Sequence, residues 1–305
     1  MPLESPTAAA GLDAITIQNP LEIADWDHRL APLSSATFFH GTAWARTLHG
    51  TYGYQPVYFS QYESGRMRAL LPMMEIDSWL TGRRGVSLPF TDECAPLGPD
   101  DASFQQLFRA AQDESKKRRW KYLECRGRRE ALGEVPACTT FYGHRLALES
   151  NGETLFSHCD SAVRRAIRKA ERSQVNVEFS QELAAVRTFY RLYCLTRQRH
   201  GVPPQPFRFF ANIHRHVLAQ KQGWIVLARH EGVPVAGAVF FHFGRTAIYK
   251  FAASDERFQH LRPSNIVLWR GILWYAERGF TRLDFGRTAP DNEGLRRFKS
   301  GWGAQ

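Results

Sequence analysis

Apolar positions recur along the chain with two periods, every second residue in short runs and every third or fourth in longer ones, and their order repeats. In the first half, residues 55–61 (QPVYFSQ) predict a strand, 63–66 (ESGR) a turn, and 67–76 (MRALLPMMEI) a returning strand. A Gly- and Pro-rich loop follows. Phe104, Leu107, Phe108 and Ala111 then fall at helical spacing within 103–118, and 121–126 (KYLECR) alternates as a strand. In the second half, 224–229 (WIVLAR), a turn at 230–234 and 235–243 (VAGAVFFHF) repeat the opening, with a further strand at 246–253 (TAIYKFAA). A helix at 264–278 stops at Gly279, a residue suited to a C-cap, and 281–285 (TRLDF) closes the unit. The double occurrence of strand, charged turn, strand, helix and strand predicts a duplicated α/β module. Residues 16–150 form its first copy and 151–305 its second, behind a loose tail at 1–15.

Between the copies, residues 160–173 (DSAVRRAIRKAERS) predict a helix with Val163, Ile167 and Ala170 on one face. Arg164, Arg165, Arg168, Lys169 and Arg172 cover the rest, and Asp160 or Ser161 serves as N-cap. Such a helix meets a phosphate-bearing ligand or is simply a solvated face. A helix at 181–198, a Pro-rich loop at 199–206 and a helix at 207–220 follow.

Composition narrows the class. Apolar residues make up 43% and charged residues 23%, which suits a globular chain, and no run approaches the roughly 18 apolar residues of a membrane span. The N-terminus has no basic start followed by an apolar block, so no secretory signal is expected. Five widely spaced cysteines without a CxxC pair predict reduced thiols in the cytoplasm, neither a disulfide framework nor a zinc site. No HExxH, Walker A or GxSxG motif occurs, so no metal is expected. The net charge of +10 favours anionic partners, without choosing among tRNA, coenzyme A phosphates, nucleotide-linked precursors and the acidic inner face of a membrane; a DNA partner is not expected.

Two segments carry candidate chemistry. At 262–265 (RPSN) a loop delivers Arg262, Ser264 and Asn265 to a helix start, where exposed N–H groups and the helix dipole favour an anion; Ser264 as an ordinary cap is the alternative. At 283–303 a strand ends in Asp284, Phe285, Gly286 and Arg287, and a polar loop presents Arg296, Arg297, Phe298 and Lys299. Acyl transfer to an amine needs oxyanion stabilisation and a proton path. Lys299 could offer the first or be an ordinary surface lysine, and Asp284, or a water it orders, could offer the second. His200 beside Arg199 could position an acceptor or be structural, and Asp92 could line a cleft or serve a turn.

The stretch at 161–175 (SAVRRAIRKAERSQV), the RHGVPPQPFRFF run at 199–210 and the FGR…RFKSGWGA ending at 285–304 resemble the FemAB-like acyltransferases. So do TFFH at 37–40, TYGY at 51–54 and SLPFTD at 87–92 in the first half. The likeness is to the variety found beside exopolysaccharide and exosortase (PEP-CTERM) gene clusters. It implies tandem GNAT-like domains, with mixed sheets flanked by helices, that transfer an acyl or aminoacyl group to an amine of a peptidoglycan- or exopolysaccharide-related precursor. Acyl-CoA or aminoacyl-tRNA would serve as donor substrate, with no tightly bound cofactor. It also implies that Phe298 and Lys299 match the Phe-Lys pair at the catalytic centre. Arg262, Ser264, Asn265, Tyr249, Lys250 and Arg287 would then hold the donor, and Arg164, Arg168, Arg199, His200 and Asp92 the acceptor. The loop at 262–265 departs from the GNAT pattern in having no glycine. The competing expectation is a binding module for RNA or an anionic precursor that keeps the fold without chemistry. Peripheral attachment to the inner membrane is compatible with either.

Overall fold

The computed structural model describes residues 14–127 and 137–305, so most of the expected N-terminal tail lies outside the described residues. The chain divides into two compact units between residues 136 and 137.

The first unit contains β1 (Thr16–Gln18), α1 (Trp26–Leu30), α2 (Thr42–Tyr52), β2 (Gln55–Pro56), β3 (Tyr58–Glu63) and β4 (Arg66–Leu71). β5 (Met74–Ile76), β6 (Arg84–Ser87), α3 (Asp101–Lys117) and β7 (Leu123–Cys125) complete it. Its strands form two sheets, ordered β1-β3-β4 and β2-β5-β6-β7. The expected pair of strands over 55–61 and 67–76 is therefore cut in two. Pro56 and Pro72 have no N–H to donate, so neither ladder runs through, and the hairpin changes sheets there. Val57 N–H still bonds Met73 O at 2.9 Å across the change. α3 starts two residues before the expected position, because the Asp100 carboxylate accepts from Ser103 N at 2.7 Å. Its buried face, Phe104, Leu107 and Ala111, joins Phe59, Ala69 and Leu71 in one core.

The second unit begins with β8 (Tyr142–Ala147), α4 (Gly152–His158), α5 (Ser161–Arg172), β9 (Asn176–Ser180), α6 (Leu183–Arg199) and α7 (Phe207–Ile213). It continues through β10 (Gly223–His230), β11 (Val233–Phe243), β12 (Thr246–Ser254), α8 (Pro263–Glu277), β13 (Arg282–Thr288) and α9 (Glu293–Ser300). One six-stranded sheet runs β8-β13-β12-β11-β10-β9. β8 falls within the span expected for the first copy, yet it pairs antiparallel with β13, so the division precedes residue 150.

β11 is buried on both faces, which is why its sequence is a continuous apolar run rather than an alternation. Phe240 packs against Tyr249 and Tyr275 beneath α8, while its neighbour Phe241 meets Phe251 on the face covered by α6 and α7. The segment expected as one helix over 207–220 keeps α7 and then a single π turn at His214–Leu218. Residues 293–300, expected as loop, form α9, whose N-terminus is capped by Asn292 Oδ1 accepting from Leu295 N at 3.0 Å. At α5, Asp160 occupies the N-cap position without a side-chain cap bond, and its N–H donates to Gly301 O at the end of α9.

Candidate functional site

All strand pairs of the second sheet are antiparallel except β12 with β13. That parallel ladder joins Thr246–Ile248 to Arg282–Asp284 and goes no further. The two strands part beyond it, and each carries an irregularity where it leaves its neighbour. On β12 the register against β11 slips between Tyr249 and Phe251, so Lys250 is the extra residue of a bulge. Strict alternation would send Tyr249 and Lys250 to opposite faces; the bulge replaces it. Tyr249 packs against Phe240 and Phe285, and burial raises its phenol above the ordinary range. The Lys250 ammonium lies 5.5 Å from the Phe251 ring centroid.

On β13 the register against β8 slips between Asp284 and Arg287. Gly286 adopts φ +70° there, a conformation a side chain would disfavour. Its N–H donates to Asp284 Oδ1 at 2.6 Å. From α9, Lys299 Nζ donates to Gly286 O at 3.1 Å and to Arg287 O at 2.9 Å. Lys299 is only 5% exposed. Asp284 and Lys299 thus meet through the backbone of one bulge. Phe298 packs edge-on to Trp302, and the Arg287 guanidinium stacks over Phe141 at 4.0 Å.

β12 and β13 are parallel neighbours inside the sheet, so their C-terminal ends lie at one end of it, and α8 starts soon after β12 leaves that end. Arg262 takes a left-handed conformation at the N-cap, with no side-chain cap bond, and Pro263 is the first helical residue. Ser264 is therefore inside the helix, not its cap. Arg262 is exposed, with Ser264 and Asn265 half-buried. The end of α6 arrives at the same end of the sheet. Thr196 Oγ1 accepts from Ser254 N at 3.0 Å and donates to Ser254 O at 3.2 Å. Arg199 lies 3.9 Å from the Glu256 carboxylate, and exposed His200 follows at the end of the helix. Arg199, His200, Arg262, Ser264 and Asn265 are therefore associated with one end of the sheet.

Arg164 and Arg168 are elsewhere. They line a groove of about 1060 Å³ between α4, α5 and α8 with Phe156, Trp269 and Leu273. Leu273 lies about 12 Å along the helix from Asn265 at the usual rise. Arg164 Nη1 donates to Ser157 O and Cys159 O, each at 2.8 Å, closing the end of α4. The Arg168 guanidinium sits 5.3 Å from the Phe156 ring centroid. Asp92 belongs to the first unit, in the loop after β6.

His144 on β8 was not among the expected site residues. It is 5% exposed, its Nε2 has no hydrogen-bond partner, and burial followed by the charges of Lys299 and Arg296 holds it below the ordinary imidazole range. Thr288 Oγ1 and Trp302 Nε1, from neighbouring β13 and the turn after α9, are likewise buried without partners. The sequence signal is faint: His144 and Leu146 occupy the inward positions of an alternating YGHRLA run. Among the described residues no cluster of His, Cys, Asp and Glu could hold a metal.

Residues 157–300 match the acetyltransferase (GNAT) domain family. No curated protein matches the chain significantly. Among solved structures, FemX superposes with a TM-score of 0.74 at 15% identity, covering 96% of this chain and 94% of that one. L-PGS from Bacillus licheniformis gives 0.55 at 12% identity, with 92% and 80% covered. A tandem GNAT protein from the clavulanic acid biosynthesis pathway gives 0.58 at 10%, with 97% and 95% covered. The chain has the fold of FemX and of the tandem GNAT protein, and residues 157–300, within its second unit, match the acetyltransferase (GNAT) domain family.

Proposed function

We propose that the chain transfers an aminoacyl or acyl group to an amine of a peptidoglycan- or exopolysaccharide-related precursor in the cytoplasm. The observation that carries this is the parting of β12 and β13 beside the start of α8. The donor's phosphates would lie at Arg262, Ser264 and Asn265, and its acyl arm would pass Tyr249, Lys250 and Arg287. The acceptor amine, approaching from the side of Arg199 and His200, attacks the acyl carbonyl. A C–N bond forms, the ester or thioester bond breaks, and the proton lost by the amine is taken up by the departing tRNA hydroxyl or coenzyme A thiol, directly or through water. Lys299 supplies positive charge beside the carbonyl and, with Asp284, fixes the bulge that shapes the gap.

The helix start favours charged tRNA over coenzyme A. Pro263 has no N–H, and Asn265 N already donates to Arg262 O at 3.1 Å, so few amides remain for a pyrophosphate. The competing reading, a binding module without chemistry, draws its support from the two carbonyls that occupy Lys299.

Thermal-shift titration with coenzyme A, acetyl-CoA and charged tRNA tests the reading. A ligand at a hundredfold excess over its Kd stabilises the folded chain by about 2.7 kcal/mol. A saturable rise with charged tRNA, reduced in Arg262→Asn, is expected, together with transfer to an amine acceptor. A response to coenzyme A alone would reverse the choice of donor. Binding of charged tRNA without transfer to any amine would favour the module.

A further inference from the structure

The first unit carries an apolar pair that its own fold leaves uncovered. At the tip of the β5–β6 hairpin, Trp79 is 96% exposed and Leu80 is 73% exposed. The tip is a closed turn: Gly82 N–H donates to Ser78 O at 2.6 Å, and Thr81 N–H donates to Ser78 Oγ at 3.3 Å. The two side chains are thus presented by ordered backbone. A third large ring, Tyr122, is 51% exposed on the adjoining segment, which is joined to the hairpin through Gly85 N–H to Tyr122 O at 3.2 Å.

The surroundings are basic. Residues 75–84 and 113–121 together hold seven basic and four acidic side chains. Each acidic group is already engaged: Asp77 by Arg83, Asp113 by Lys116, Glu114 by Arg118 and Lys117, and Glu75 by Arg118. Arg84, Arg119 and Lys121 have no acidic partner among the described ion pairs. The Lys121 side chain lies against Gly82, so close that a Cβ there would fall 2.4 Å from its Cε. A charge is thereby seated directly behind the apolar tip.

We propose that this hairpin docks the protein on an anionic phospholipid bilayer, with Trp79 and Leu80 entering the headgroup–acyl boundary and Arg84, Arg119 and Lys121 meeting the lipid phosphates. Trp and Tyr, with an apolar body and a polar N–H or O–H, concentrate at that boundary. Interfacial attachment strengthens with buried apolar area and with electrostatic attraction to anionic lipids, and the hairpin supplies both. Among the described residues no helix is long and apolar enough to cross a membrane. The charge argues against a second copy of the chain as occupant, because the rim would face its own kind. The inference concerns the first unit and is read without donor or acceptor, so it stands or falls apart from the transfer reading.

The test is cosedimentation of the full chain with phosphatidylcholine vesicles, with and without phosphatidylglycerol. Binding is expected only when phosphatidylglycerol is present, and it should weaken with salt. Trp79→Ser/Leu80→Ser should bind at least tenfold more weakly. Since each basic residue near an anionic surface contributes roughly fivefold, Arg84→Glu/Lys121→Glu should lose at least as much. The circular dichroism melt of the Trp79→Ser/Leu80→Ser variant should match wild type, because both side chains are exposed. The proposal is overturned if wild type ignores anionic vesicles, or if the Trp79/Leu80 variant binds them as wild type does. A dimer in sedimentation that dissociates in that variant would overturn it in favour of self-association.

Discussion

Lys299 donates its ammonium to the carbonyl oxygen of Gly286 at 3.1 Å, the residue whose N–H is held by Asp284. A charged side chain on the last helix thereby sets the backbone of the sheet strand beside the proposed donor gap. Two carbonyls share that ammonium. Lys299→Met would leave both without their donor, at a cost of about 2–4 kcal/mol. Lys299→Arg should recover part of it. Urea denaturation of the full chain reads the difference, and an unchanged midpoint in Lys299→Met would remove the lysine from the bulge's support.

α8 lies close enough to the sheet that Gly271 touches the Phe240 ring. A Cβ at Gly271 would stand 2.4 Å from Phe240 Cζ. Gly271→Ala gains roughly 0.8–1 kcal/mol of helix propensity, but overpacking of this kind costs about 1–3 kcal/mol, and here the steric cost wins. The expected outcome is a lower Tm. A higher Tm would mean that the ring moves aside freely.

His40, in the first unit, is buried and neutral. Its Nδ1 accepts from Thr37 N at 3.1 Å, which leaves Nε2 to donate to Ala95 O at 2.9 Å. Burial, opposed by these backbone bonds, lowers its pKa to about 4. The unfolded chain, with an ordinary imidazole near 6.5, binds the extra proton first. Stability from this group is full above that pH, falls by about 1.4 kcal/mol per pH unit down to about pH 4, and then levels off. The difference between wild type and His40→Gln in denaturation series across that window isolates it. Parallel curves would disprove the assignment.

The two arginines of the groove should behave differently. Arg164→Ala removes a charged donor from two carbonyls and should cost about 1–2 kcal/mol. Arg168→Ala, at an exposed position, should stay within about 0.5 kcal/mol. If acceptor affinity falls equally in both while stability does not, the groove binds the acceptor after all.

Much of the second unit was legible because its buried strands are unbroken apolar runs and α8 is apolar nearly all round. What the sequence concealed is local geometry. Pro56 and Pro72 mark the sheet change, yet in sequence they sit inside runs that alternate plausibly. α9 escaped because its buried residue is a lysine, so no apolar stripe announces it. The extra residue at Lys250 leaves the composition of the strand untouched and surfaces only as a slipped register. Lys299 and Asp284 were identifiable as candidates by residue type and family likeness. Their meeting at Gly286 follows from a bulge that period-two reasoning erases. His144 is inconspicuous for a related reason, since an inward histidine on an edge strand looks like any other core position.

The parting of β12 and β13 gives the sheet an internal rim, where main chain stands open between two strands in the middle of the layer. A ligand seated in such a rim can bond main-chain N–H and C=O groups, as an added strand does. Recognition of that sort is indifferent to side-chain identity. On the proposed reading, one donor can replace another with little change in the walls of the slot, and selectivity falls to the groups at its mouth.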